Sequence, residues 1–99
     1  MVQANNVSAE PKSKFWLGQF YITEEARRKV GYEDALIALR RHHDGDWGDV
    51  CPEDREANES ALANGGRLFS VYHATNGEKF WIITEADRNT TTVLMPDNY

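Results

Sequence analysis

The chain has 99 residues, 40% of them hydrophobic and 11% aromatic, enough for one packed domain and too few for two independent cores. Eleven basic against 16 acidic residues leave a net charge of −5, which repels phosphate backbones and makes nucleic acid a poor default partner. A single cysteine excludes an internal disulfide and a cysteine-rich zinc site.

Residues 1–13 are polar and contain Pro11, so they read as a disordered tail ahead of a single α+β domain at 14–99. They show no basic segment followed by an apolar run, and no stretch approaches the length of a membrane span. The expectation is a cytoplasmic protein with a reduced thiol and no cofactor. Phe15 to Ile22 ("FWLGQFYI") is aromatic and β-branched and predicts a strand, with Gly18 marking a bulge or a close approach by another backbone. Thr23 caps a short helix, "EEARRKV", whose acids lie in the first turn and bases in the last, and Gly31 takes the C′ position. In "YEDALIALRRHH", Tyr32, Ala35, Leu36, Leu39 and His43 fall at helical spacing. Pro52 then starts a third helix, "PEDREANESALAN", with Cys51 or Asp49 as cap, a narrow seam of Ala57, Ala61 and Leu62, and a stop at Gly65-Gly66.

The remainder is β. "RLFSVYHA" and "KFWIIT" flank Asn76-Gly77, which predicts a hairpin with a two-residue type I′ turn; "EADRN" turns into "TTTVLM", and Pro96 ends the strand. The layout is a leading strand, three short helices and a three-stranded antiparallel meander with the helices on one sheet face. Nothing in the sequence pairs the leading strand with an edge of the meander.

"RHHDGDWGDVCPED", residues 41–54, gathers histidines, carboxylates and the cysteine into one short stretch. A calcium loop starting at Asp44 fails, because Gly48, Asp49 and Arg55 fall where an oxygen donor, a glycine and a glutamate are needed. Adjacent His42 and His43 diverge by about 100° on a helix and do not converge on zinc. Turn and cap chemistry accounts for the stretch instead. The histidines and arginines complement the helix dipole, Asp44-Gly45 turns, Asp49 or Cys51 caps, and Trp47 folds inward to pin the loop. No metal is expected. Cys51 with a histidine lacks an oxyanion or orienting motif, and Glu85 and Asp87 read as turn residues with a local ion pair to Arg88.

The two-residue turn sets Val71 opposite Ile82 and Phe80 opposite His73. It sets Tyr72 opposite Trp81 and Ser70 opposite Ile83 on the other face. Phe69, Val71, Phe80 and Ile82 then supply a core, while Tyr72, Trp81 and Ile83 form an aromatic interaction face that the helices leave open. The competing interpretation is a self-contained cross-strand pair.

"GDWGDV", "GGRLFSVY", "GEKFWIITEADR" and "TTTVLMPDNY" closely resemble a widespread family of small bacterial proteins labelled hypothetical or plasmid-related, found among mobile-element and defence-island genes. The resemblance covers roughly residues 15 to 99, and Gly18-Gln19 matches the family's leading "GQ" strand. It implies a cytoplasmic accessory protein that modulates a host or rival system, and it carries over no catalytic residue.

Two functions compete. The first is a non-enzymatic protein that binds a protein partner through its acidic surface and its aromatic sheet face, in the manner of a nucleic-acid mimic or counter-defence inhibitor. The second is a small ribonuclease similar to the RelE-type toxins, acting through Arg67, His73, Lys79 and Arg88 on the sheet. The net charge of −5 disfavours the nuclease, since RNA cleavage uses a cationic cradle.

Overall fold

The structure, a computed structural model, describes residues 14–99. The tail expected at 1–13 lies outside the described residues. The elements are β1 (Gln19–Ile22), α1 (Glu24–Lys29), α2 (Tyr32–His43), α3 (Pro52–Asn64), β2 (Leu68–His73), β3 (Lys79–Thr84) and β4 (Thr90–Leu94), closed by a 3-10 turn at Pro96–Asn98. The fold is α+β, but the sheet is four-stranded and mixed, in the order β1-β4-β3-β2. β1 joins the meander in parallel beside β4, with Gln19 opposite Thr90 and Ile22 opposite Val93.

Strand pairing begins only at Gln19, four residues later than expected. Phe15 leaves the sheet and sets its ring edge-on to His42, 5.2 Å away. Gly18 separates the two segments. It sits at φ +70°, and a Cβ there would lie 2.3 Å from the Asn89 carbonyl oxygen, so the expected close approach is real.

Thr23 caps α1 as expected, its hydroxyl accepting the Ala26 amide at 3.1 Å. α2 is turned from its expected orientation. It buries Ala35, Ala38 and His42, while Tyr32 and Leu36 remain 56% and 52% exposed. Two alanines let the helix approach the sheet closely, and His42 goes inward because sheet hydroxyls await it. α1 and α2 cover one face and form a core with Tyr72, Phe80, Ile82 and Val93.

α3 does not join them on that face. It lies along the outer edge of β2, where its Asn58 side chain bonds both backbone groups of Phe69, donating at 2.7 Å and accepting at 3.0 Å. The 44–51 loop completes this edge. The Val71 amide donates to the Trp47 carbonyl at 3.1 Å, and the Asp49 amide donates to the Val71 carbonyl at 2.8 Å. Trp47 is fully buried, as a pin for this loop should be, and its indole N–H reaches Glu59 at 2.9 Å. Every outward backbone group of Phe69 and Val71 is therefore satisfied, and the edge is sealed along these two residues.

The hairpin register differs by one residue from the expected one. Tyr72 lies opposite Phe80, and Trp81 lies opposite Val71. The turn has three residues, Thr75-Asn76-Gly77, closed by the Ala74 amide on the Glu78 carbonyl at 2.8 Å, with only Gly77 at positive φ. Contacts to the helices select it. Asn76 donates to the Lys29 carbonyl at 2.9 Å, and the Thr75 amide and hydroxyl both donate to Asp34, each at 2.9 Å. A one-residue shift moves a whole strand's side chains to the other face. β3 keeps its expected orientation, and β2 is inverted against it.

Candidate binding cleft

Among the described residues, α1 and α2 pack on one sheet face and no helix covers the second. On it, Phe69 and Trp81 meet edge to face at 5.0 Å, and Trp81 meets Tyr99, just beyond the 3-10 turn, at 5.8 Å. These rings, with Ile83 and the Asp54, Ala57 and Asn58 side of α3, line a cleft of about 290 Å³. That volume is at the lower end for ligand sites and suits one large side chain or ring rather than an extended cofactor. Ala57 matters by being small, since it leaves the α3 wall open. Arg67 stands at the mouth with its guanidinium over the Tyr99 ring at 5.3 Å and hydrogen-bonded to the Tyr99 hydroxyl. Among the described residues no carboxylate forms an ion pair with Arg67.

Trp81 is half-buried on the second face. Ile83 points to the same face but is only 4% exposed, and it forms the cleft floor rather than an open contact surface. Tyr72 is not on that face. It is 2% exposed on the helix side, and its hydroxyl donates to the Asp46 carbonyl at 2.5 Å beneath the Arg41 guanidinium. Burial pushes its phenol pKa up. Phe69 takes the place expected for Tyr72. Tyr99, Asp54 and Asn58 carried no sequence signal for the site, because each reaches the cleft through tertiary packing.

The four nuclease candidates do not converge. Arg67 precedes β2 and His73 ends it, six residues or about 20 Å apart at strand spacing. His73 pairs with Asp49 at 3.1 Å and lies opposite Lys79 near the hairpin tip. Arg88 is committed to backbone: it donates to the carbonyls of Gly66 at 2.7 Å, Glu85 at 3.0 Å and Ala61 at 3.1 Å. It therefore ties the end of α3 to the last turn, and the expected ion pair with Glu85 or Asp87 is replaced by these carbonyls.

The histidine–aspartate stretch is taken apart in the same way. Asp46 forms a bidentate pair with Arg41 at 2.8 and 3.3 Å, and that partner holds its carboxyl below the usual range. Cys51 takes the cap position of α3 without a side-chain bond, and Asp49 turns to His73. Among the described residues, no three His, Cys, Asp or Glu side chains cluster as metal ligands would.

His42 is the residue whose role the sequence concealed. It does not complement the α2 dipole. Its ring is fully buried, with Nδ1 2.6 Å from the Ser70 hydroxyl and Nε2 2.9 Å from the Thr84 hydroxyl. Thr84 continues to Thr91 at 2.7 Å, and Thr91 donates to the Leu17 carbonyl at 2.6 Å. Because the chain ends on a carbonyl, one direction satisfies every member: Ser70 donates to Nδ1, the Nε2 proton goes to Thr84, and Thr84 donates to Thr91. This assigns the neutral Nε2–H tautomer. Burial first, then the charges of His43 and Arg88, lowers the His42 pKa to about 3. The clue available in sequence was the Thr84 hydroxyl, in line with the core positions Phe80 and Ile82, which needs a buried partner; Ser70 turns inward only in the observed register.

No helix among the described residues is long and apolar enough to cross a membrane. No family model, curated protein or solved structure matches the chain.

Proposed function

We propose that this chain is a non-enzymatic binding protein that receives an apolar anchor of a protein partner in the cleft between α3 and the open sheet face. The observation that carries the proposal is the trio of half-buried Phe69 and Trp81 and exposed Tyr99, set edge to face around a cleft of about 290 Å³. A folded domain leaves such rings accessible mainly where they make contacts, and tryptophan, tyrosine and arginine dominate interface energetics. Arg67 at the cleft adds a guanidinium that has no ion pair among the described residues and suits a carboxylate of the partner. The resemblance to small bacterial mobile-element proteins fits a cytoplasmic modulator of another protein.

The test is capture from a bacterial lysate on immobilised wild type, Trp81→Ala and Leu36→Ala, followed by affinity measurement with the captured protein. As a hot spot, Trp81→Ala loses at least about 2 kcal/mol, roughly thirtyfold in Kd, while Leu36→Ala binds as wild type. Equal binding by Trp81→Ala would exclude the cleft. RNA cleavage by the wild type that disappears in His73→Ala would instead establish the nuclease.

A further inference from the structure

We infer that the outer edge of β1 pairs with β1 of a second copy of this chain, joining two four-stranded sheets into one. The inference does not rest on the cleft, which lies toward the far side of the sheet.

The hydrogen-bond parity of β1 defines the edge. The Gln19 amide donates to the Asn89 carbonyl at 2.8 Å, and the Thr23 amide donates to the Val93 carbonyl at 3.0 Å. With Gln19, Tyr21 and Thr23 turned toward β4, the alternation of a strand turns the N–H and C=O groups of Phe20 and Ile22 outward. Among the described residues no group meets them. The opposite edge of the sheet is sealed at Phe69 and Val71 by Asn58 and the Trp47–Asp49 loop. Apart from its shortness, β1 carries no edge-protecting feature, since "QFYI" holds no lysine, proline or inward charge.

A second copy fits because the edge is self-complementary. In an antiparallel pair, outward residues face each other with both N–H and C=O. Phe20 of one copy therefore lies opposite Ile22 of the other, and the reverse, which places the twofold axis at Tyr21. Four backbone hydrogen bonds form, and Gly18 and the Thr23 cap end the pairing on both sides. Phe20 and Ile22 are half-buried core residues that gain cover, and Tyr21, now 52% exposed, meets its own copy across the axis. Charge favours the same site: Phe15 to Thr23 contains no charged residue, so copies of a chain with net charge −5 meet where they repel least. The axis is perpendicular to the sheet, so both Trp81 clefts open on one side of an eight-stranded sheet. Two short strands bury less than a standard interface, so the dimer is a concentration-dependent one.

Sedimentation equilibrium across the micromolar to millimolar range tests this. Wild type should show a monomer–dimer equilibrium, and Tyr21→Lys, which sets two like charges opposite each other on the open face, should weaken it by about tenfold or more. In a Cys51→Ser background, Tyr21→Cys should form an intermolecular disulfide far faster than Leu36→Cys. A non-hydrogen-bonded antiparallel pair holds its Cα atoms about 4.5 Å apart, within disulfide range. A wild type that stays monomeric at every concentration overturns the inference. So does a dimer unaffected by Tyr21→Lys, or a Tyr21→Cys variant that cross-links no faster than Leu36→Cys.

Discussion

Acidification should destabilise this protein well above the pH at which its carboxylates titrate, and His42 is the reason. The ring is fully buried and neutral in the fold, with its pKa lowered to about 3 from the ordinary 6.5. In the unfolded chain it takes up a proton as the pH drops through 6.5; in the folded chain it does not until about 3. The unfolded state thus binds more protons throughout that window, so stability is complete above about pH 6.5 and declines as the pH falls toward 3. The slope approaches about 1.4 kcal/mol per pH unit, and the change from pH 7 to pH 5 is about 2 kcal/mol. For a domain of this size that corresponds to a fall in Tm of about 10 °C.

Urea denaturation at intervals between pH 7 and 5 measures the slope directly. His42→Leu provides the control, because it keeps bulk and removes the titration, so contributions of other groups cancel in the difference. At pH 7 the variant should be less stable by about 1 to 3 kcal/mol, as Ser70 and Thr84 lose their partner. Its stability should change much less between pH 7 and 5. A wild type with the same pH slope as His42→Leu would refute the assignment of a buried neutral imidazole.

Two further outcomes follow from the edge and the register. Asn58→Leu leaves the Phe69 amide and carbonyl without partners at the β2 edge, so chemical denaturation should show a loss of about 2 to 3 kcal/mol, and light scattering should show increased association. Tyr72→Ala should lower stability by about 3 to 5 kcal/mol, whereas Trp81→Ala, on the half-exposed open face, should lower it distinctly less; equal losses would contradict the observed register.

Local chemistry made most of the elements legible. The Thr23 cap, Pro52 at the start of α3, the Gly65 stop and the alternation of β3 each act within a few residues, and all appear where expected. What failed to read out is determined over distance. β1 finds β4 some 70 residues later, and the Thr91 hydroxyl anchors the Leu17 carbonyl across that gap. The face of α2 was misjudged because Leu36 and Tyr32 outrank Ala38 and His42 in hydrophobicity, yet the sheet offers hydroxyls to His42 and room only for alanine. The candidate site was half legible for the same reason. Trp81 and Ile83 follow from the alternation of β3 alone, while their neighbour on β2 depends on a register that the Asn76-Gly77 pair misstates.

That register couples the interior to the cleft. Under a two-residue turn Phe69 would face α2, and Ser70 would point away from His42. The buried imidazole would then lose the hydroxyl at 2.6 Å, and the Tyr72 hydroxyl would lose the Asp46 carbonyl. The three-residue loop avoids both losses, and in doing so it turns Phe69 outward to meet Trp81 at 5.0 Å. The bonds from Thr75 to Asp34 and from Asn76 to Lys29 hold that loop against α1 and α2, on the side of the sheet away from the cleft. The aromatic lining is therefore set by polar contacts on the opposite face. The hydroxyl of Ser70 and the ring of Phe69 are adjacent in sequence, and one cannot be moved across the sheet without the other.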